Sequence, residues 1–319
     1  MWVLLAFVSA LCLGFYDICK KIALRDHAVV DVLTASVLIS SGILAVPLLL
    51  SRLAPEMMLS TPFYVPQLDW QAHLLTVLKS CIVLSSWVFG YISLKHLPIS
   101  VVSPWQATRP MWTLIGALLI FGERLNGWQW LGILLALGSI LLFSFKNKSS
   151  IINHKSSIQN RYYIALALTI LIGACSGLYD KYMMRRFDHN AVQVYYTFYQ
   201  ALMMLAVWTI DRYIVRAKNK KIDSTDSNKS FVLCPLAKRS LLPILLISIF
   251  LIISDNVYML ALRDPDSLIA VVSTIRRGGA VIGFAYGLIF LREPDPWKKL
   301  LSMLGVLAGL ICLALGTLS

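Results

Sequence analysis

The 319 residues are 58% apolar and 14% charged, with 29 Lys and Arg against 16 Asp and Glu, and the mean hydropathy is +0.73. A soluble globular domain cannot bury that much apolar surface, whereas apolar blocks of about 17 to 25 residues suit α-helices crossing roughly 30 Å of hydrocarbon. Strand-length alternation is absent from the sequence, which argues against a β-barrel, and the formal charge of +13 reads as a signal for topology and anionic lipid headgroups, with no nucleic-acid partner.

In chain order, ten spans are predicted. The first, 2–24, lacks the basic n-region and small-residue cleavage site of a signal peptide. Spans at 32–50, 74–94, 99–121 and 128–145 follow, and a polar connection rich in Lys, Asn and Ser occupies 146–161. The remaining spans are 162–184, 191–210, 241–262, 268–291 and 297–318, with a second long polar connection at 212–239. Six cysteines (Cys12, Cys19, Cys81, Cys175, Cys234, Cys312) and five histidines are scattered without metal-ligand spacing. No disulfide framework, metal or other cofactor is therefore expected.

The chain repeats itself. Gly14-Phe15-Tyr16-Asp17 returns as Gly177-Leu178-Tyr179-Asp180, and Tyr91, Ser100, Arg109 and Gly116 return at one constant offset as Tyr258, Ser267, Arg276 and Gly283. Trp128 and Leu131 answer to Trp297 and Leu300 after a small shift. Two halves of five spans each must lie in the membrane with opposite orientations, which predicts an all-α membrane protein of ten transmembrane helices in two inverted repeats. The predicted division is 1–145 for the first repeat, 146–161 for the basic linker and 162–319 for the second repeat.

Gly122-Glu123-Arg124-Leu125 with Trp128-Gln129-Trp130-Leu131-Gly132, and Leu291-Arg292-Glu293-Pro294 in the second half, resemble the signature of the EamA-type drug/metabolite transporter superfamily. The resemblance extends over nearly the whole chain and carries little information about cargo. It implies alternating access around a central cavity lined largely by the third, fourth, eighth and ninth spans.

Lys and Arg accumulate in cytoplasmic connections. They number nineteen in the odd-numbered connections against six in the even-numbered ones, which places both termini outside the cytoplasm. Family precedent places both inside, so the two arguments oppose each other. The location expected is the cell (inner or plasma) membrane, multi-pass, as a monomer or homodimer.

Chemistry is expected where ionisable groups lie within spans, because a charge at the bilayer centre costs at least about 2.5 to 3.5 kcal/mol and so faces a partner or a cavity. These groups are Asp17, Lys79, Arg109, Asp180, Lys181, Asp255, Arg276 and Arg277. Arg109 shares a helical face with Trp105, Trp112 and Gly116 at spacings of four, three and four. A guanidinium between aromatic walls suits a carboxylate or phosphate on an organic body. Arg276 occupies the equivalent place in the second half, and the adjacent Arg277 points about 100° away on a helix. The Arg276-Arg277 pair resembles a basic pair in plastid phosphate translocators.

The expected binding set is therefore Arg109, Arg276, Arg277, Trp105, Trp112, Tyr91, Tyr258 and Trp87. Asp17, Asp180 and Asp255 are expected to serve coupling or charge balance, with Lys21 and Lys181 as the basic neighbours of the first two and Arg276 or Arg109 as partner of Asp255. Pro104 and Pro110 fall within the fourth predicted span, where a missing donor bends a helix. Glu123 and Glu293 read as junction or gate residues.

The sequence contains no clustered acidic residues for a divalent ion and no phosphate-cradling Gly-rich loop, so an enzyme is not expected. A carrier of a small organic anion, an exporter of neutral or zwitterionic compounds, and a non-transporting scaffold or receptor all remain open.

Overall fold

The computed structural model describes residues 1–23, 28–96, 108–146, 157–220, 241–279, 282 and 296–318. Among these, all regular structure is α-helical. In chain order the helices are α1 (Trp2–Ala23), α2 (Val29–Leu53), α3 (Pro55–Leu59), α4 (Trp70–His96), α5 (Arg109–Ile120) and α6 (Gly127–Lys146), then α7 (Ser157–Met184), α8 (His189–Lys220), α9 (Leu241–Arg263), α10 (Ile269–Arg277) and α11 (Pro296–Leu318). Five of the described segments are long and apolar enough to cross a bilayer, at Trp2–Lys20, Val30–Leu53, Trp70–Gly90, Arg161–Met184 and Leu241–Arg263. Large apolar side chains on the outer faces, such as Leu119 at 80% and Leu202 at 67% exposure, suit a lipid environment. The chain is a multi-pass membrane protein.

Three local features depart from the sequence expectations. Helix α3 is an unpredicted short turn with Pro55 in its first turn, where proline's missing donor has no helical acceptor to lose. Helix α8 runs ten residues past 210, held at that end by Asp31 of α2. Trp208 Nε1 donates to Asp31 Oδ1 at 2.9 Å, and Arg212 pairs with the same carboxylate. Pro110 lies in the first turn of α5, so it begins the described helix without bending its interior. Pro104 lies outside the described residues, as do Glu293 and the whole 147–156 connection.

Small residues set the helix crossings. Helices α6 and α11 meet at Gly132 and Gly309, where a Cβ built on Gly309 would lie 2.6 Å from the amide nitrogen of Ala136 and 2.7 Å from the carbonyl oxygen of Gly132. Such contacts let backbones approach directly, the usual packing mode between helices in lipid. Gly309→Ala is expected to cost about 1 to 3 kcal/mol through overpacking, measurable as a lower melting temperature in detergent.

Helix α1 packs against α9 and α10, while α7 packs against α4 and α5; α2 lies on α8, and α6 on α11. Reciprocal hydroxyl contacts join α1 to α9, with Ser9 Oγ donating to Ser254 O at 2.8 Å and Ser254 Oγ to Ser9 O at 3.0 Å. Across the other pair, Ser86 Oγ of α4 donates to Thr169 O of α7 at 3.0 Å. The largest buried apolar cluster includes Leu114, Leu178, Tyr258, Ile275 and Leu310, drawn from α5, α7, α9, α10 and α11.

Candidate functional site

Four carboxylates and five cations lie inside the described part of the bundle. Asp180 of α7 accepts from Lys79 Nζ of α4 at 2.6 Å, and the Lys79 ammonium lies 4.6 Å from the Tyr196 ring centroid. Its sequence neighbour Lys181 does not serve Asp180, because adjacent helical residues diverge by about 100°. Lys181 is 1% exposed. Its ammonium meets Glu123 Oε1 at 2.8 Å and the carbonyl oxygen of Ser267.

Glu123 does more than neutralise that lysine. Its Oε1 accepts from the amide of Ile269 at 2.7 Å and its Oε2 from the amide of Ala270 at 3.2 Å. These amides open α10 and have no intrahelical acceptor, so the carboxylate satisfies them and complements the positive helix end. One acidic side chain thus ties the end of α5 to α7 and α10. The sequence reading of Glu123 as a junction residue did not specify these partners.

Asp255 of α9 pairs with Arg276 of α10. The Arg276 guanidinium also donates to Ser254 Oγ at 3.5 Å and stacks 4.1 Å from the Tyr258 ring centroid. Its Nε is buried without a hydrogen-bond partner among the described residues. Arg277 is within electrostatic reach of Asp17, which also faces Lys20 and Arg276. The Lys21 side chain lies outside the described residues.

Arg109 opens α5 and lies against α7 at Gly173, where any added Cβ would overlap the guanidinium. It is within electrostatic reach of Arg277, Tyr258, Arg276 and Asp180. Among the described residues it has no ion pair and no ring stacked on it. Tyr258, on whose ring Arg276 stacks, is also within electrostatic reach of Arg109.

The other expected residues separate. Trp112 is 46% exposed on α5 and does not wall Arg109, whereas Gly116, one turn on, receives Leu178. Trp105 and the side chain of Tyr91 lie outside the described residues. Trp87 borders a small cavity together with Asp255, Ser40 and Gln200. Ser40 and Gln200 were absent from the sequence expectations. A glutamine near the middle of an apolar span was the available signal, outweighed there by formal charges.

At one end of the bundle, outside the spans, Asp188 Oδ1 accepts from the Asn190 and Ala191 amides at 2.9 and 3.3 Å, capping α8. Its Oδ2 lies 3.2 Å from Arg263 Nη1. Burial alone would raise this carboxyl, but the His189 contact and the two amide donors outweigh it and hold the group below its ordinary value.

Among the described residues no group of three His, Cys, Asp or Glu side chains is arranged to hold a metal ion. Arranged in this way, the polar groups can bind and rebalance charge.

The EamA-like transporter family matches residues 1–145, consistent with the drug/metabolite transporter superfamily. A solved crystal structure, titled only as that of a protein, superposes with a TM-score of 0.70 at 12% identity, covering 98% of this chain and 96% of that one. At that identity the likeness concerns fold alone. No curated protein matches the chain.

Proposed function

With an EamA-like transporter sequence in residues 1–145 as its premise, we propose that the chain is a secondary carrier of a small organic anion, working by alternating access. The observation that carries this reading is the charge balance. Lys79, Lys181 and Arg276 each contact a carboxylate. Arg109 and Arg277 are in no ion pair among the described residues, with Asp180 and Asp17 only within electrostatic reach. An unpaired guanidinium in a membrane bundle is costly, and an anionic cargo supplies the missing charge. The buried, unpartnered Nε of Arg276 offers a second donor close by.

The two-repeat division, 1–145 and 162–319 with 146–161 between, is part of the same proposal. Its support is the exchange of contacts: α1 meets α9 and α10 as α7 meets α4 and α5, while α2–α8 and α6–α11 pair across the halves. That is the pattern expected when α1 corresponds to α7, α4 to α9 and α5 to α10 about a two-fold axis. In this scheme Arg109, Arg276 and Arg277 bind the anionic end and Tyr258 and Trp87 contribute to the organic body's surroundings; Trp105 and Tyr91 keep the binding role read from the sequence, and the exposed Trp112 drops out of the set. Asp17, Asp180 and Asp255 hold the other cations in balance during the cycle.

One observation favours the second reading, an exporter of neutral or zwitterionic solutes: Arg276 is already paired with Asp255. Uptake into proteoliposomes distinguishes them. Saturable uptake of carboxylate- or phosphate-bearing organic compounds, with neutral amino acids excluded, is the expected result. Uptake of neutral amino acids that such anions fail to compete would reverse the order of the two readings.

A further inference from the structure

A cavity of about 30 Å³ lies between α2, α4, α8 and α9. Ser40, Trp87, Gln193, Gln200 and Asp255 are among its walls. Gln193 is already engaged, its Nε2 donating to Ile252 O at 2.7 Å and its Oε1 accepting from Asn256 Nδ2 at 2.7 Å. Ser40 Oγ is buried with no hydrogen-bond partner among the described residues, and Gln200 Nε2, also without a partner of good geometry, has the Tyr196 hydroxyl of the same wall beside it. Ser40 and Gln200 are only 3% and 4% exposed. Hydrocarbon offers no substitute partner, so two polar groups short of a well-formed hydrogen bond on one small cavity mark a place that something polar fills.

The cavity adjoins the charged cluster. Asp255 lines it and uses Oδ1 on Arg276, and Arg276 stacks on Tyr258, which Arg109 also faces. The free volume suits a group the size of a water molecule. Its walls offer a donor in Gln200 Nε2, a hydroxyl in Ser40 and an acceptor in the remaining oxygen of Asp255. A group that both donates and accepts, bonded to a small carbon skeleton, satisfies all three.

We infer that this cavity is the specificity pocket for the uncharged end of the cargo, and that the cargo is a small hydroxylated organic anion. Gln200 Nε2 donates to the cargo hydroxyl oxygen, and the hydroxyl's own O–H donates to Ser40 Oγ or to the remaining oxygen of Asp255. The inference rests on the anion reading and narrows it. It assigns recognition to Ser40 and Gln200, which carry no charge and belong to α2 and α8, away from the arginines.

The test uses matched probes, malate against succinate and glycerate against propionate, with the full chain in proteoliposomes. The wild type is expected to favour the hydroxylated member by about tenfold or more, since a site built to bond a hydroxyl leaves its own groups unpaired against the analogue lacking it. Ser40→Ala and the size-matched Gln200→Met should each reduce that preference several-fold, with folding checked separately by the melting temperature of each variant in detergent. Equal affinity for the two members of both pairs, or a preference that survives both substitutions, overturns the inference. If Arg109→Ala abolishes binding while the two pocket variants change nothing, the pocket assignment falls and the anion reading stands. If Arg109→Ala leaves binding intact, the anion reading falls and this inference falls with it.

Discussion

Arg109→Ala lowers affinity for an anionic cargo by about 10- to 150-fold without lowering the melting temperature. Hydrogen bonds to a charged group contribute about 1.5 to 3 kcal/mol, and each 1.4 kcal/mol is a factor of ten in affinity. Stability behaves differently because this guanidinium has no carboxylate to abandon among the described residues, and removing an unpaired charge from a bundle relieves its desolvation cost. An arginine with a structural task would give the opposite result, a lower melting temperature. Arg109→Lys keeps the charge and loses the planar fork, so it should recover only part of the affinity. Gly173→Ala provides a control that retains the arginine, since the new Cβ would occupy the guanidinium's place and should weaken binding by displacement. Isothermal titration or competition uptake reads affinity, and thermal melting in detergent reads stability.

Glu123→Ala is expected to destabilise the protein by about 3 to 5 kcal/mol, the usual cost of removing one partner from a buried ion pair. Lys181 would keep a charged ammonium at 1% exposure with only the Ser267 carbonyl beside it. The Ile269 and Ala270 amides would also lose their acceptor. Glu123→Gln should cost less, because an amide oxygen can still accept from α10 while the charge pairing is lost. The double replacement Glu123→Leu with Lys181→Met should recover much of the loss, as buried pairs replaced together by apolar groups of similar size often do. Melting temperatures of the wild type, Glu123→Leu, Lys181→Met and the double variant form a cycle that isolates the coupling. If the single and double variants lose equal stability, the pair is not the cause.

Much of the fold was legible because lipid imposes a simple code. Apolar blocks near the width of the hydrocarbon layer give helices, and the described helices follow the predicted spans closely at α1, α6, α9 and α11. What escaped was decided by side chains meeting across helices. Arg212 and Trp208 of the longer α8 meet Asp31 on α2, a contact separated by more than 170 residues in sequence and invisible to local periodicity.

The charged cluster was legible for a similar reason. Formal charges within apolar runs stand out, so Arg109, Asp180, Asp255, Arg276 and Arg277 could be named, and the Asp255–Arg276 pair was one of two foreseen partners. Pairing of Asp180 was not legible: adjacency to Lys181 suggested a neighbour, while helical geometry sends the two residues to Lys79 and Glu123. Ser40 and Gln200 escaped because a hydroxyl or an amide in a span usually finds a backbone carbonyl, and only the packed arrangement reveals that theirs do not.

The crossing of Gly132 and Gly309 also constrains motion. Where two main chains touch with no side chain between them, neither helix can slide or roll past the other without driving a carbonyl into its neighbour. The α6–α11 pair therefore resists relative motion, and the rearrangements that the proposed alternating access requires would fall to the remaining helices swinging about it.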